Sequence, residues 1–224
     1  MQLLNVILKP IRLRSKDLSR VGIQAAIKKS FLKLETESKI LVIGGFGPVL
    51  TEIFELNSSL GFEIFTLDIE PKHNPNFLLD ICGNDVSSML SRQFDLVIAI
   101  EVLEHTENPQ AAINNIWNAL NPKGTFILST PWITPIHDEP NDYYRFSQFG
   151  LSFLLKKFTE VVIFSRGNYR DSLLMLGLRG LKVQGASAKC IAIAAYIASY
   201  LNPKPKIYNT FNRSCIGYIV ECKK

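Results

Sequence analysis

The stretch Ile40-Leu-Val-Ile-Gly-Gly-Phe-Gly-Pro48 narrows the possible folds more than any other part of the chain. Four branched apolar residues in succession fit a strand buried on both faces of a parallel sheet. Gly44, Gly45 and Gly47 then allow a sharp turn and bring backbone amides close to a ligand, where a Cβ would intrude. Pro48 suits a first helical residue, and Val49, Ile53, Leu56 and Leu60 follow at helical spacing until Gly61. A strand, a glycine turn and a helix N-terminus together make a site for an anionic or nucleotide-like ligand. That ligand is neither NAD nor ATP. The dinucleotide pattern needs glycine or alanine where Leu50 stands, and no Gly-Lys-Ser/Thr follows for a phosphate loop.

The remaining elements repeat the alternation. Apolar strands are predicted at Phe62–Ile69, Phe77–Ile81, Phe94–Glu101, Thr125–Thr130, Glu160–Ser165 and Ile216–Glu221. Asn108 is placed to cap a helix with Pro109 in its first turn, and Ser147 to cap another through Leu151, Leu154 and Leu155. Asn121-Pro-Lys-Gly124 reads as the turn into the fifth strand. Such a pattern in 224 residues argues an α/β fold: a doubly wound, seven-stranded, mostly parallel sheet. Residues 1–38 form a basic lead-in with a helix through Ile23, Ile27, Phe31 and Leu34, and 39–224 form the main domain. Within it, 169–201 is an apolar helical insertion that either packs as core or presents a surface to a membrane or partner.

Composition excludes several classes. The net charge of +5 favours anionic ligands or surfaces without requiring nucleic acid. The basic residues lack the aromatic interleaving of single-strand binders, and no Pro-Cys nucleophile or Pro-Pro-Tyr/Phe amino-methylating motif occurs. Four cysteines without a Cys-x-x-Cys pair read as reduced thiols, hence a cytoplasmic setting. The opening apolar run is too short to span a bilayer, and its cations follow it, so neither a signal peptide nor a transmembrane helix is expected.

Several features now combine: the glycine turn at 44–47, Asp68 ending strand two, Asp80 ending strand three and Phe94-Asp95-Leu-Val in strand four. Glu101-Val-Leu-Glu-His105 and Leu120-Asn-Pro-Lys-Gly124 complete the set. In this combination the chain resembles class I S-adenosylmethionine-dependent methyltransferases over 40–166 and the last strand. An acidic strand end about twenty residues past a glycine turn can accept both hydroxyl protons of a ribose, which assigns Asp68. The resemblance implies S-adenosyl-L-methionine as cofactor, with Ile69 beside Asp68, and Asp80 and Ile81 at the adenine. It places Gly44, Gly45 and Gly47 along the methionine part and counts Glu101 among the cofactor-binding residues. The chain departs from the family where Val42 replaces a late strand-one acid and Phe46 and Pro48 interrupt the glycines. A non-catalytic cofactor- or partner-binding relative is therefore one alternative.

For catalysis, His105 or His137 is the candidate base, since a hydroxyl acceptor must lose a proton near neutral pH. The Glu101, Glu104, His105 pattern also resembles quinone-type O-methyltransferases, in which such a trio holds a divalent metal. After strand five, Asp142, Tyr143, Tyr144 and Arg145 are the candidate acceptor residues. This loop resembles methyltransferases of bacterial surface-polysaccharide gene clusters. The expected acceptor is a small molecule, a saccharide or lipid-linked saccharide, with peripheral membrane contact through 169–201.

Overall fold

The computed structural model describes residues 9–10, 13, 20, 22–44, 47–179, 186–200, 207–208 and 213–224. Gly45, Phe46 and residues 1–8, 11–12, 14–19 and 21 of the lead-in lie outside the described residues, as do 180–185, 201–206 and 209–212.

The seven predicted strands are all present. They are β1 (Lys39–Ile43), β2 (Glu63–Asp68), β3 (Phe77–Leu78), β4 (Phe94–Ile100), β5 (Leu120–Pro131), β6 (Glu160–Arg166) and β8 (Gly217–Lys223). A two-residue β7 (Ile207–Tyr208), which the sequence pattern is too short to announce, pairs antiparallel with the end of β6. The sheet order is β3-β2-β1-β4-β5-β8-β6-β7. Strands β1 to β5 pair in parallel. Strand β8 runs the other way: Lys224 N–H donates to Gly124 O, while at its opposite end Ile216 O accepts from Trp132 N–H.

The continuous apolar runs explain the parallel core. Ile40, Leu41, Leu96, Val97, Ile98, Phe126, Ile127 and Leu128 are all buried, as strands covered on both faces must be. Strand β5 begins at Leu120, ahead of the expected Thr125. The 121–124 segment is an irregular strand start, with a register shift between Phe94 and Leu96 and Lys123 in the left-handed region. A Cβ at Gly124 would lie 2.9 Å from Asn121 O, so the bend requires glycine there.

Seven helices lie between or before the strands among the described residues: α1 (Ile23–Phe31), α2 (Gly47–Asn57), α3 (Val86–Leu90), α4 (Pro109–Ala119), α5 (Gln148–Leu154), α6 (Tyr169–Arg179) and α7 (Ala186–Tyr200). Both expected caps form: Asn108 Oδ1 accepts from Ala111 N–H and Ser147 Oγ from Gly150 N–H. Helix α2 starts at Gly47 and buries only Ile53 of its apolar residues. Lys33, just past α1, pairs with Glu221 on β8.

The chain divides into two compact units along lines other than the sequence division at residue 38. One comprises Ile23–Thr130, Asp138–Ile163 and Ile219–Lys224; the other comprises Met1–Gly22, Pro131–His137 and Phe164–Tyr218. The first holds β1 to β5 and helices α1 to α5. The second holds the helical pair α6 and α7. No helix among the described residues is long and apolar enough to cross a membrane. All four cysteines are free, and burial pushes the Cys222 and Cys215 thiols up.

Candidate active site

Strand order locates the site. The chain moves from β1 outward through β2 and β3, then returns to the other side of β1 as β4. Ligands of such sheets bind where the order reverses, past the carboxyl ends of these strands. Gly44 leaves β1 there with φ +63°, and its N–H donates to Leu67 O at 2.9 Å. A Cβ on Gly44 would stand 2.6 Å from Val102 Cγ2, just beyond β4. Both backbone angle and space require glycine. Gly47 also has positive φ, +68°, and opens α2. Val42 is a core residue, 3% exposed, on β1.

Asp68 ends β2 with its side chain almost wholly buried. Its Oδ1 accepts from Glu70 N–H at 2.8 Å, and its Oδ2 lies 2.9 Å from His73 Nδ1. A carboxylate oxygen accepts more than one hydrogen bond, so each retains capacity for a hydroxyl. His73 is a positioning residue that sequence reasoning overlooks. It sits on the tight turn Pro71–His73, and Pro71 is the signal that the chain folds back on itself directly after Asp68. Replacing His73 with alanine is expected to weaken S-adenosylhomocysteine binding by roughly 3- to 10-fold, the range of one lost hydrogen bond. The effect should vanish in an Asp68→Asn background; a titration in which it persists would show that His73 acts elsewhere.

Asp80 Oδ1 accepts from Cys82 N–H at 2.8 Å, closing a local turn. The following Ile81 is buried, and its carbonyl and that of Gly83 each accept from Asn115 Nδ2 at 2.8 Å. Ile69, by contrast, is 63% exposed beyond Asp68.

Past β4, Glu101 takes φ +55°; its N–H donates to Ser129 O and its Oε1 accepts from Ser129 Oγ at 2.8 Å. A tight turn, Leu103–His105, then buries Glu104 completely. His105 Nδ1 lies 2.7 Å from Asn141 O. A carbonyl only accepts, so Nδ1 carries a proton, and Nε2 is the ring atom that can serve as a base. Nε2 is 3.9 Å from Glu104 Oε1. Glu101, turned to Ser129, does not join these two within 4.8 Å as a ligand set.

The loop 138–146 is built around this turn. Tyr143 and Tyr144 N–H donate to Glu104 O at 2.8 and 3.2 Å, and Tyr144 OH donates to Glu107 O at 3.1 Å. Arg145 holds Asp142 by two bonds of 2.5 and 2.6 Å, and the Asp142 side chain is 1% exposed. Those bonds push the Arg145 guanidinium above its ordinary range, against the cost of burial, with Glu104 and Glu101 adding their charge. Asp142 thus faces its own loop, and Tyr143 and Tyr144 are the candidates that face outward. His137 is half-buried and belongs to the other unit, with Pro131–His137.

A family model described as a methyltransferase domain matches residues 18–157. The chain belongs to that family. Its fold is that of S-adenosylmethionine-dependent methyltransferases. A structure from Archaeoglobus fulgidus superposes with TM-score 0.56 at 16% identity, over 92% of this chain and 94% of that one. A Haemonchus contortus phosphoethanolamine N-methyltransferase, solved with S-adenosyl-L-methionine, gives 0.55 at 16% identity over 91% of this chain. This chain spans about half of that enzyme, 52%. A Thermotoga maritima structure described as a possible histamine N-methyltransferase gives 0.54 at 11% identity, with both chains fully covered. No curated protein matches.

The methyltransferase's cofactor is S-adenosylmethionine, and the residues present fit it. Asp68 offers two fixed oxygens on one buried carboxylate, as a vicinal diol needs. Gly44 brings backbone to the crevice where any side chain would strike Val102.

Proposed function

We propose that the domain methylates a hydroxyl of a small molecule, with a saccharide or lipid-linked saccharide as the acceptor class. The bound cofactor supplies a methyl group on a positively charged sulfur, which a nucleophilic oxygen displaces in line. In this reading Asp68 holds the ribose, Asp80 and Ile81 the adenine, and Gly44, Gly45 and Gly47 the methionine part, with Glu101 also among the cofactor-binding residues. His105 is the general base. The observation that carries the reading is the His105 ring, whose Nδ1 proton is committed to Asn141 O. Nε2, 3.9 Å from the buried Glu104 carboxylate, is the atom assigned to take the acceptor's proton. A neutral amine acceptor needs no such base to attack. Fixing the ring and excluding water are the protein's contribution, since alignment dominates the barrier of an in-line displacement.

Tyr143 and Tyr144 support the saccharide class as partly exposed aromatic residues, Tyr144 backed by the Phe146 ring stacked on it, while the Asp142–Arg145 pair holds the loop that presents them. His137 is the second candidate base. This scheme routes no step through a divalent metal, and Glu101 Oε1 accepts from Ser129 Oγ. The test is methyl transfer from labelled S-adenosylmethionine to a panel of saccharide, quinol, phenol and amine acceptors, with and without chelator. Transfer to saccharide hydroxyls, unchanged by chelator, is expected. Loss on chelation with recovery in Mg²⁺ would instead establish the metal reading, and transfer to amines alone would remove the base.

A further inference from the structure

The charge of this protein is unevenly divided. The unit made of Met1–Gly22, Pro131–His137 and Phe164–Tyr218 carries 13 Lys and Arg against 2 Asp and Glu, a net charge of +11. The other unit carries 12 against 18, a net charge of −6, so the mild overall +5 conceals a strongly basic part. From Ser172 to Val220 there is no acidic residue, while Arg179, Lys182, Lys189, Lys204, Lys206 and Arg213 all fall within that span. Charge asymmetry of this size within one chain marks a partner of opposite sign.

The same unit exposes apolar side chains in an ordered way. Helices α6 and α7 pack through Leu174 and Leu178 against Ala195, Tyr196 and Ala198. They approach so closely that a Cβ on Gly177 would lie 2.7 Å from that of Ala195. Met175 and Ala192 are buried as well, while other apolar side chains of the pair are exposed. Tyr169, Leu173 and Leu176 recur at i, i+4 and i+7 on α6, and all three are exposed. On α7 Ile193 and Ile197 stand one turn apart on one face, both exposed, and Ile191 on a different face is 59% exposed. At 15 residues α7 is too short to span a bilayer. Aliphatic side chains on two packed helices, in a unit with a large positive charge, match an anionic interface with an apolar phase beneath it.

We infer that this unit docks on the surface of anionic lipid bilayers, the cations meeting headgroups while the outward faces of α6 and α7 enter the acyl boundary. Two weak attractions act together here, as stable peripheral attachment requires. A nucleic acid fits less well: it would engage the cations but leave the isoleucines and leucines in water, and single-strand binders present aromatic rings between their cations. The inference does not depend on which acceptor the site methylates.

The experiment is co-sedimentation of the full chain with vesicles of phosphatidylcholine alone and of phosphatidylcholine mixed equally with phosphatidylglycerol. Binding is expected to the anionic vesicles only, and to fall steeply by about 0.5 M salt. Arg170 and Arg213 are exposed, and Arg170→Gln with Arg213→Gln should lower the partition coefficient about 25-fold, near fivefold per cation. Ile193→Ser with Ile197→Ser should lower it at least about tenfold at constant charge. S-adenosylhomocysteine binding should stay unchanged in both variants, which separates this result from a loss of fold and from failure of the proposed chemistry. No binding at low salt, equal binding to neutral vesicles, or undiminished binding of the serine variant would each overturn the inference. So would release of bound protein from the vesicles by a stoichiometric oligonucleotide.

Discussion

Replacing His105 with alanine is expected to lower methyl transfer by roughly 10²–10⁴ while leaving cofactor affinity where it was. The ring is held at one nitrogen by Asn141 O and is backed by a buried carboxylate at the other. Its removal takes away a proton acceptor and nothing that touches the ribose end of the crevice. The kinetic signature is therefore an equal fall in kcat and kcat/KM for the acceptor, because proton transfer to the ring develops only in the transition state. His105→Asn keeps a donor for the Asn141 carbonyl but cannot act as a base, so it should be as slow as the alanine variant. If both variants turn over at the parental rate, proton removal lies elsewhere, and the corresponding change at His137 becomes the deciding measurement.

The second large effect is at Asp68. Asp68→Ala should weaken S-adenosylhomocysteine by about 2–3 kcal/mol in calorimetry, roughly 30- to 150-fold, as expected for charge-assisted bonds in a buried setting. Part of that loss reflects Glu70 N–H and His73, which both lean on the same carboxylate. Asp68→Asn separates the contributions. It can keep the Glu70 bond but turns one acceptor into a donor facing His73, so affinity should fall nearly as far while the local turn survives. A deoxyribose analogue of the ligand should bind wild type and Asp68→Asn almost alike. Distinct affinities for that analogue would show that the carboxylate does not face the diol.

Much of this architecture is legible in the chain because the sheet is buried on both faces. Runs such as Ile40–Ile43 and Leu96–Ile98 fit the interior of a sheet covered on both faces, and the two N-caps follow from local side-chain chemistry. Boundaries are less legible where pairing, not pattern, decides them. Leu120–Gly124 reads as a turn from its Asn-Pro-Lys-Gly, yet β4 draws it into the sheet as an irregular start. Strand β7 has two residues and no periodicity to read. Among the candidates, the sequence singles out Asp68 by its place at a strand end and His105 by the Glu-x-x-Glu-His run past one. The His73 partnership is not visible there, since it depends on a turn returning a side chain to a carboxylate five residues back. Asp142 and Arg145 are open in the sequence between a ligand and each other, and the loop pairs them with each other.

That pair, with the amides of Tyr143 and Tyr144 on Glu104 O and the Tyr144 hydroxyl on Glu107 O, has a thermodynamic consequence for acceptor recognition. A loop that becomes ordered only on binding gives up conformational entropy at that moment, with a signature of large favourable enthalpy opposed by entropy. Residues 138–146 have already lost that freedom during folding. An acceptor should therefore meet a rigid contour, and selection among acceptors should act by exclusion of shapes that do not fit, not by adaptation of the loop to each. Binding enthalpies across a series of related acceptors should accordingly vary little with their size until fit fails, and then affinity should drop abruptly.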